Sequence, residues 1–361
     1  MFVSALSSIT GKQNSLGLPR VKNACVIMVD GLGAANIEFR SGHAPLLSRQ
    51  LQQDGFIQCG FPSTTVSSLA SFSTGVRSGV HGMVGYQILD RDVMSSINLL
   101  TGITTQEEAT KWQPRETVAQ QAAVEGVEVF FVGPAEYEKS GFTMATMRGA
   151  KYAAGKSIED RFIVAQRLLA TTSNVLVYLY IPELDQKAHA FGSKSVQWVE
   201  KLEDLESALK KFVTKCANST GILLTADHGI VDVAAERQIF LDEIELPALI
   251  SVGGDPRVLF LYFNSAKENI NETQAILQKF LGKRAYVATR DELISAGWFG
   301  NVQDFAAMRL PELFVIALGE TALYHRSFAK PKSLKMVGQH GSISSDELNV
   351  PLLRFAGYAK K

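Results

Sequence analysis

The sequence predicts an α/β fold, a three-layer sandwich in which a mostly parallel central sheet lies between two layers of helices. Three observations predict it. Apolar strand-like runs alternate with amphipathic helical stretches along most of the chain. The strand runs are continuously apolar rather than alternating, as expected of strands covered on both faces. And Asp30, Asp185 with His189, and Asp227 with His228 all fall just past the C-terminal ends of such runs. That is where open α/β sheets bind ligands.

Taken in order, Ala24–Val29 is a buried-strand run ending at Asp30, and Ala44–Gln53 reads as a helix. Thr65–Ser73 is a short helix of small residues that opens after Phe61-Pro62-Ser63. Glu116–Glu125 reads as a helix and Val127–Val132 as a strand; Ile158–Thr171 is a helix and Asn174–Ile181 a strand that ends just before Asp185. Val196–Cys216 is a long helix, and Gly221–Thr225 a strand that stops just before Asp227. The rhythm then changes: strand Arg257–Phe263, helix Lys267–Leu281, and strands Arg284–Ala288 and Glu312–Leu318. This divides the chain into a core of residues 1–237 and 333–361 and a small α+β insertion or cap of residues 238–332.

Composition narrows the function classes. The chain has 361 residues, with Lys+Arg and Asp+Glu balanced at 36 each. A net charge of zero gives no long-range attraction to nucleic acid or anionic lipid, so an anionic substrate must be drawn by local charge, such as bound metal. The three cysteines, Cys25, Cys59 and Cys216, are far apart and form no Cys-x-x-Cys, which reads as free thiols in a reducing compartment. The N-terminus shows no leader pattern, and no apolar run approaches the roughly 20 residues of a membrane helix. The expectation is a soluble, cytoplasmic protein acting on a small molecule.

The chemistry rests on carboxylate and imidazole side chains. Asp185 and His189 are four apart, so on a helical turn both reach one ion. Asp227 and His228 are adjacent and converge on a metal only at a strand-to-loop bend. Asp30 precedes Gly31-Leu32-Gly33, a tight turn that also resembles half a dinucleotide fingerprint, but Asn36 stands where that motif needs Gly. His340 lies between two glycines' reach in Gly338-Gln339-His340-Gly341. Each has an ordinary counterpart: Asp30 as a cap for the next helix, a lone His as a satisfied core residue, Ser63, Thr64 or Thr65 as a plain N-cap. Together they outweigh those counterparts, because three of six histidines join Asp residues beside strand ends in a chain with a helix-opening Thr. Such a hydroxyl meets free N–H groups and the positive end of the helix dipole, which favour an alkoxide nucleophile.

The ordered segments resemble the type I phosphodiesterase / nucleotide pyrophosphatase family of the alkaline phosphatase superfamily. They are Val26–Gly31, Phe61–Thr65 with Ser73-Thr74-Gly75 and His81-Gly82, Pro182–Asp185 with His189, Thr225–Gly229, and Gly338–Gly341. The resemblance implies an alkaline phosphatase-like fold and two divalent ions, zinc first and manganese as the alternative. Asp185, His189 and His340 would hold one; Asp30, Asp227, His228 and the nucleophile would hold the other. The family's nucleophilic Thr lies ten residues before the Gly of its Thr-Gly motif, and counting back from Gly75 selects Thr65 over Thr64. The implied activity is hydrolysis of phosphodiester or nucleotide pyrophosphate bonds through a phosphothreonine. A phosphomonoesterase, phosphonate hydrolase or mutase of the superfamily is the alternative, and a non-catalytic metal-stabilised binding protein a third reading. Two positions depart from the pattern. Tyr86 stands where nucleotide-cleaving members carry a phosphoryl-binding Asn, with Asn98 the next Asn downstream, and Ser67-Ser68 replaces the Pro-Asn after the nucleophile.

Overall fold

The computed structural model describes residues 1–264 and 269–360. Along the chain, helix α1 (Phe2–Thr10) leads to strand β1 (Asn23–Val29), helix α2 (Thr65–Thr74), and strands β2 (Glu128–Gly133) and β3 (Lys151–Ala154). Helix α3 (Ile158–Thr171), strand β4 (Val175–Ile181), helices α4 (Glu183–Phe191) and α5 (Val196–Lys215) and strand β5 (Thr220–Thr225) follow. After these come β6 (Leu249–Asp255), β7 (Val258–Phe263), helix α6 (Ile270–Leu281), β8 (Ala285–Thr289), β9 (Leu313–Ala317) and β10 (Leu353–Ala356).

The central sheet has the order β10-β5-β1-β4-β2-β3 and is parallel except for β10, which runs antiparallel beside β5. Strands β1, β4 and β5 are buried along their full length, which accounts for their unbroken apolar runs. Alternation in β1 feeds two cores. Ala24, Val26 and Met28 pack with α1, α2 and the helix Val118–Val124. Cys25, Ile27 and Val29 pack with the helix Pro45–Asp54, α3 and α5 on the other face. These are the outer layers of the sandwich.

The register sets up the site. Val29 at the end of β1 pairs with Ile181 at the end of β4, and Met28 pairs with Thr225 at the end of β5. Three adjacent parallel strands therefore finish at one level, and Asp30, Asp185 and Asp227 emerge side by side. Local capping helps hold this geometry. Ser157 and Asp160 form a capping box on α3, and the Ser195 hydroxyl accepts the Trp198 N–H at the start of α5.

A second sheet, β6-β7-β9-β8, is antiparallel and carries α6. The sequence reading placed its other three strands within a residue or so, but not β6, whose Ser251, Gly253-Gly254 and Asp255 interrupt an apolar run. Of the helix expected from Lys267, that first residue lies outside the described residues, and the helix spans Ile270–Leu281. Strand β3 was also not anticipated: it is a half-exposed edge strand without an apolar signature. Among the described residues, no helix is long and apolar enough to cross a membrane.

Candidate metal centre and active site

Each ligand side chain arrives on a short, well-held element. Asp30 follows β1, and its backbone N–H still bonds to the Ile181 carbonyl of β4 at 2.9 Å. Gly31 has φ of +72°, and a Cβ there would stand 3.0 Å from Asp185 Cβ, so only glycine lets the Asp30 turn approach α4 this closely. Asp185 and His189 lie one turn apart on α4, with His189 Nε2 3.2 Å from Asp185 Oδ2. Asp227 and His228 sit at the bend after β5. Asp227 Oδ1 accepts the N–H groups of Gly31 (3.2 Å) and His228 (3.1 Å), which leaves Oδ2 facing the cluster.

The structure brings all seven residues singled out in the sequence into one cluster. Ligand atoms of Asp185, His189 and His340 lie within 4.8 Å of one another, and so do those of Asp30, Asp185 and His228. Asp185 thus stands between the two sets. Asp227 Oδ2 is 3.6 Å from His228 Nε2, and Asp30 Oδ1 is 3.3 Å from it. The Thr65 hydroxyl, in the first turn of α2, lies 3.1 Å from the same nitrogen. The His228 and His340 rings stack at 3.6 Å.

Three features fit this cluster to divalent cations. Asp30 Oδ1, Asp185 Oδ1 and Asp227 Oδ2 are buried carboxylate oxygens with no hydrogen-bond partner, an expensive arrangement unless a cation satisfies them. In each histidine Nδ1 is bonded to a backbone carbonyl: His189 to Gly338 (2.7 Å), His228 to Gly229 (3.0 Å) and His340 to Ser63 (3.0 Å). Nδ1 is therefore the backbone-paired nitrogen and Nε2 faces the cluster, so that loss of the Nε2 proton would present its lone pair to a metal. Finally, the donor set of Asp and His suits zinc-like ions.

The protein groups carry more negative charge than they can neutralise alone. Burial would lower the pKa of His228, but Asp227, Asp30 and Asp185 outweigh it and push it up to about 10. Burial and the neighbouring Asp30 raise Asp227 well above the carboxylate range. Burial also opposes ionisation of Asp185, yet His189, His340 and His228 hold its pKa below the usual value. His340 is kept neutral by burial and by His228. The proton on His228 stands where a cation would.

Supporting residues complete the site. Ser63 laces the α2 entry to the His340 loop: its hydroxyl donates to the Ser342 carbonyl (2.7 Å) and accepts the Gly341 N–H (3.1 Å). Tyr180, in β4, donates its hydroxyl to Asp30 Oδ2. The i, i+2 spacing of Tyr178 and Tyr180 on one face of a buried strand is the signal that could have flagged it, though it names no partner. Thr64 was the rival nucleophile, and its hydroxyl has no partner in the cluster. Tyr86 lines the cavity with its hydroxyl paired to the Asn98 side chain. Arg77, the nearest candidate for binding a monoester's extra charge, instead donates to the Gly297 carbonyl. Trp112 packs under Arg309 and Trp298 against Phe61, so neither forms a wall of the site.

Thr65, Asp30, Asp185, His189 and His340 face a cavity of about 1070 Å³. Its deeper wall is apolar, with Leu69, Ile103, Phe142 and Met147, while Lys139, Lys330, Lys332 and Lys335 stand around it. The space far exceeds that needed by a phosphoryl group.

A three-layer α/β sandwich with Asp and His side chains clustered at the C-terminal ends of adjacent parallel strands has the architecture of the alkaline phosphatase superfamily. Within it, the chain belongs to the type I phosphodiesterase / nucleotide pyrophosphatase family, whose model matches residues 24–343. The fold is shared with murine ectonucleotide pyrophosphatase / phosphodiesterase 5 in an inactive Thr-to-Ala form with AMP (TM-score 0.71, 14% identity, 93% of this chain and 88% of that one). It is shared equally with phosphonoacetate hydrolase from Sinorhizobium meliloti 1021 in complex with phosphonoformate (TM-score 0.70, 17% identity, 93% and 91%). No curated protein sequence matches the chain.

Proposed function

We propose that the protein is a metal-dependent phosphodiesterase, cleaving diester or nucleotide pyrophosphate bonds through a covalent phosphothreonine at Thr65. One observation carries the reading: the Thr65 hydroxyl opens α2, faces the cavity, and lies 3.1 Å from His228 Nε2 among the carboxylates of the cluster. Asp185, His189 and His340 would hold one ion, and Asp30, Asp227, His228 and Thr65 the other. Bound there, the cations would supply Lewis-acid polarisation of the phosphoryl group and offset charge at the attacking and departing oxygens.

The chain's own groups do the rest. Thr65 Oγ1 attacks phosphorus, the bond to the departing oxygen breaks, and water later cleaves the phosphothreonine to restore the hydroxyl. Free N–H groups in the first turn of α2 face the phosphoryl oxygens and favour their charge. Tyr86, paired to Asn98, stands where nucleotide-cleaving relatives carry Asn, and it would share that task with these N–H groups. The inactive Thr-to-Ala form of the murine neighbour, crystallised with AMP, is consistent with a Thr nucleophile.

A diester is favoured over a monoester because Arg77 turns away from the site and the cavity has room for a bulky second arm. The test compares bis-p-nitrophenyl phosphate with p-nitrophenyl phosphate, with zinc or manganese, beside Thr65→Ala. The expected result is preference for the diester and loss of roughly a thousandfold or more in the variant, with its metal content unchanged. Full activity in Thr65→Ala removes the assignment.

A further inference from the structure

The cavity wall contains one acidic side chain that the metal cluster does not use. Asp255 ends β6, is 9% exposed, and lines the same cavity as Thr65 and His340. Its Oδ2 is buried without a hydrogen-bond partner. Its oxygens belong to neither set of mutually close metal-ligand atoms, and it shares the cavity wall with Thr65 and His340. The chain holds it there deliberately. Gly341, at φ +128°, lets the His340 loop come so near that a Cβ would be 3.3 Å from Asp255 Cβ. Two residues further on, Arg257 is bonded through both Nε and Nη2 to Glu347, which fixes this turn to the same loop.

A buried acceptor left unpaired costs free energy unless a ligand completes it. An acceptor in this position repels a phosphoryl oxygen and attracts a donor. A cationic donor is disfavoured by Lys139, Lys330, Lys332 and Lys335 around the same cavity, none of which has an acidic partner among the described residues. A neutral donor remains, and a hydroxyl on an ester arm is one.

We propose that Asp255 is a specificity residue that accepts a hydrogen bond from a hydroxyl on one ester arm of the substrate, so that the preferred substrates are anionic phosphodiesters of polyols. This rests on the phosphodiesterase reading. Two chromogenic diesters test it, glyceryl p-nitrophenyl phosphate and propyl p-nitrophenyl phosphate, which release the same nitrophenolate and differ only in hydroxyls on the retained arm. The metal-loaded wild-type protein should show a kcat/KM ratio of about 10 to 100 in favour of the glyceryl ester, the scale of one charge-assisted hydrogen bond. Asp255→Leu should bring the ratio to about 1, and Asp255→Asn, which keeps an acceptor oxygen, should retain most of it. Binding of glycerol 1-phosphate over propyl phosphate to metal-loaded Thr65→Ala, measured by calorimetry, should show the same preference and lose it on adding Asp255→Leu. Equal rates on the two esters in the wild type, or a ratio unchanged in Asp255→Leu, or lost in Asp255→Asn, overturns the proposal while leaving the diesterase reading intact. Hydrolysis of neither ester, with both ions bound, removes the diesterase reading and this one with it.

Discussion

Arg257 and Glu347 form a fully buried, two-pronged ion pair, with Nε 3.1 Å from Oε1 and Nη2 2.7 Å from Oε2. The pair joins the second sheet to the loop that carries His340. Arg257 also donates to the carbonyls of Gly319 and Thr321, and Glu347 accepts the Ser342 N–H at 3.0 Å, so neither charge is left with bare polar atoms. Truncating one partner strands the other. Arg257→Leu should cost about 3–5 kcal/mol in urea unfolding, and pairing it with Glu347→Leu should recover much of that loss. Single losses that simply add in the double variant would show that the pair is energetically uncoupled.

Tyr180 orients Asp30, one of the groups proposed to hold the second ion. Its buried hydroxyl donates to Asp30 Oδ2, leaving Oδ1 directed at His228. Removing that donor frees Asp30 to rotate and changes the basicity of its oxygens. Tyr180→Phe should weaken binding of the second ion about 10- to 100-fold with little effect on the first, as read by metal titration. Unchanged affinity for both ions would reduce Tyr180 to packing.

Metal uptake should release protons. His228 titrates at about 10 because nearby carboxylates hold its proton against the effect of burial. At pH 8 the metal-stripped chain therefore carries a proton on His228 that a bound cation must displace, and the upward shift of Asp227 acts in the same direction. Calorimetry in buffers of different ionisation heat should show net release on zinc binding, with affinity falling as pH drops. The sign for stability follows too. A raised folded-state pKa at His228 contributes stability below its unfolded pKa of roughly 6.5, and that contribution is lost as pH rises through about 10. The raised Asp227 acts in the same sense, since holding it as a carboxylate costs stability at higher pH. The metal-stripped protein should thus melt lower as pH rises from neutral, and loading with zinc should reverse the trend.

His189→Ala and Asp185→Ala should differ. His189 belongs to one set of close ligand atoms, whereas Asp185 belongs to both. Removing His189 should leave one tightly held ion per chain, while removing Asp185 should weaken both. Elemental analysis after gel filtration distinguishes these outcomes, and identical stoichiometries in the two variants would contradict the shared position of Asp185.

Much of this molecule is written locally. Unbroken apolar runs such as Ala24–Val29 mark strands because such residues must be covered on both faces. Asp30, Asp185, His189, Asp227 and His228 are legible because their chemistry is set by position just after such runs. Thr65 was singled out by its place at a helix start together with the spacing to Gly75 that the family resemblance implies. Other features carried no local signal. Asp255 lies in a Gly-Gly-Asp-Pro turn that reads as a loop, and Tyr180 reads as one more apolar-strand residue. The ion pair of Arg257 with Glu347 spans 90 residues. What these share is dependence on contacts between segments remote in the chain, whose approach is set by sheet register and by glycines such as Gly31 and Gly341. Local sequence determines which groups can bind a cation. Where those groups converge, with Asp185 between the two sets and Asp255 on the cavity wall, follows from packing that brings three strand ends and two loops together. A carboxylate's role depends on its neighbours within a few ångströms, and those neighbours come from the fold.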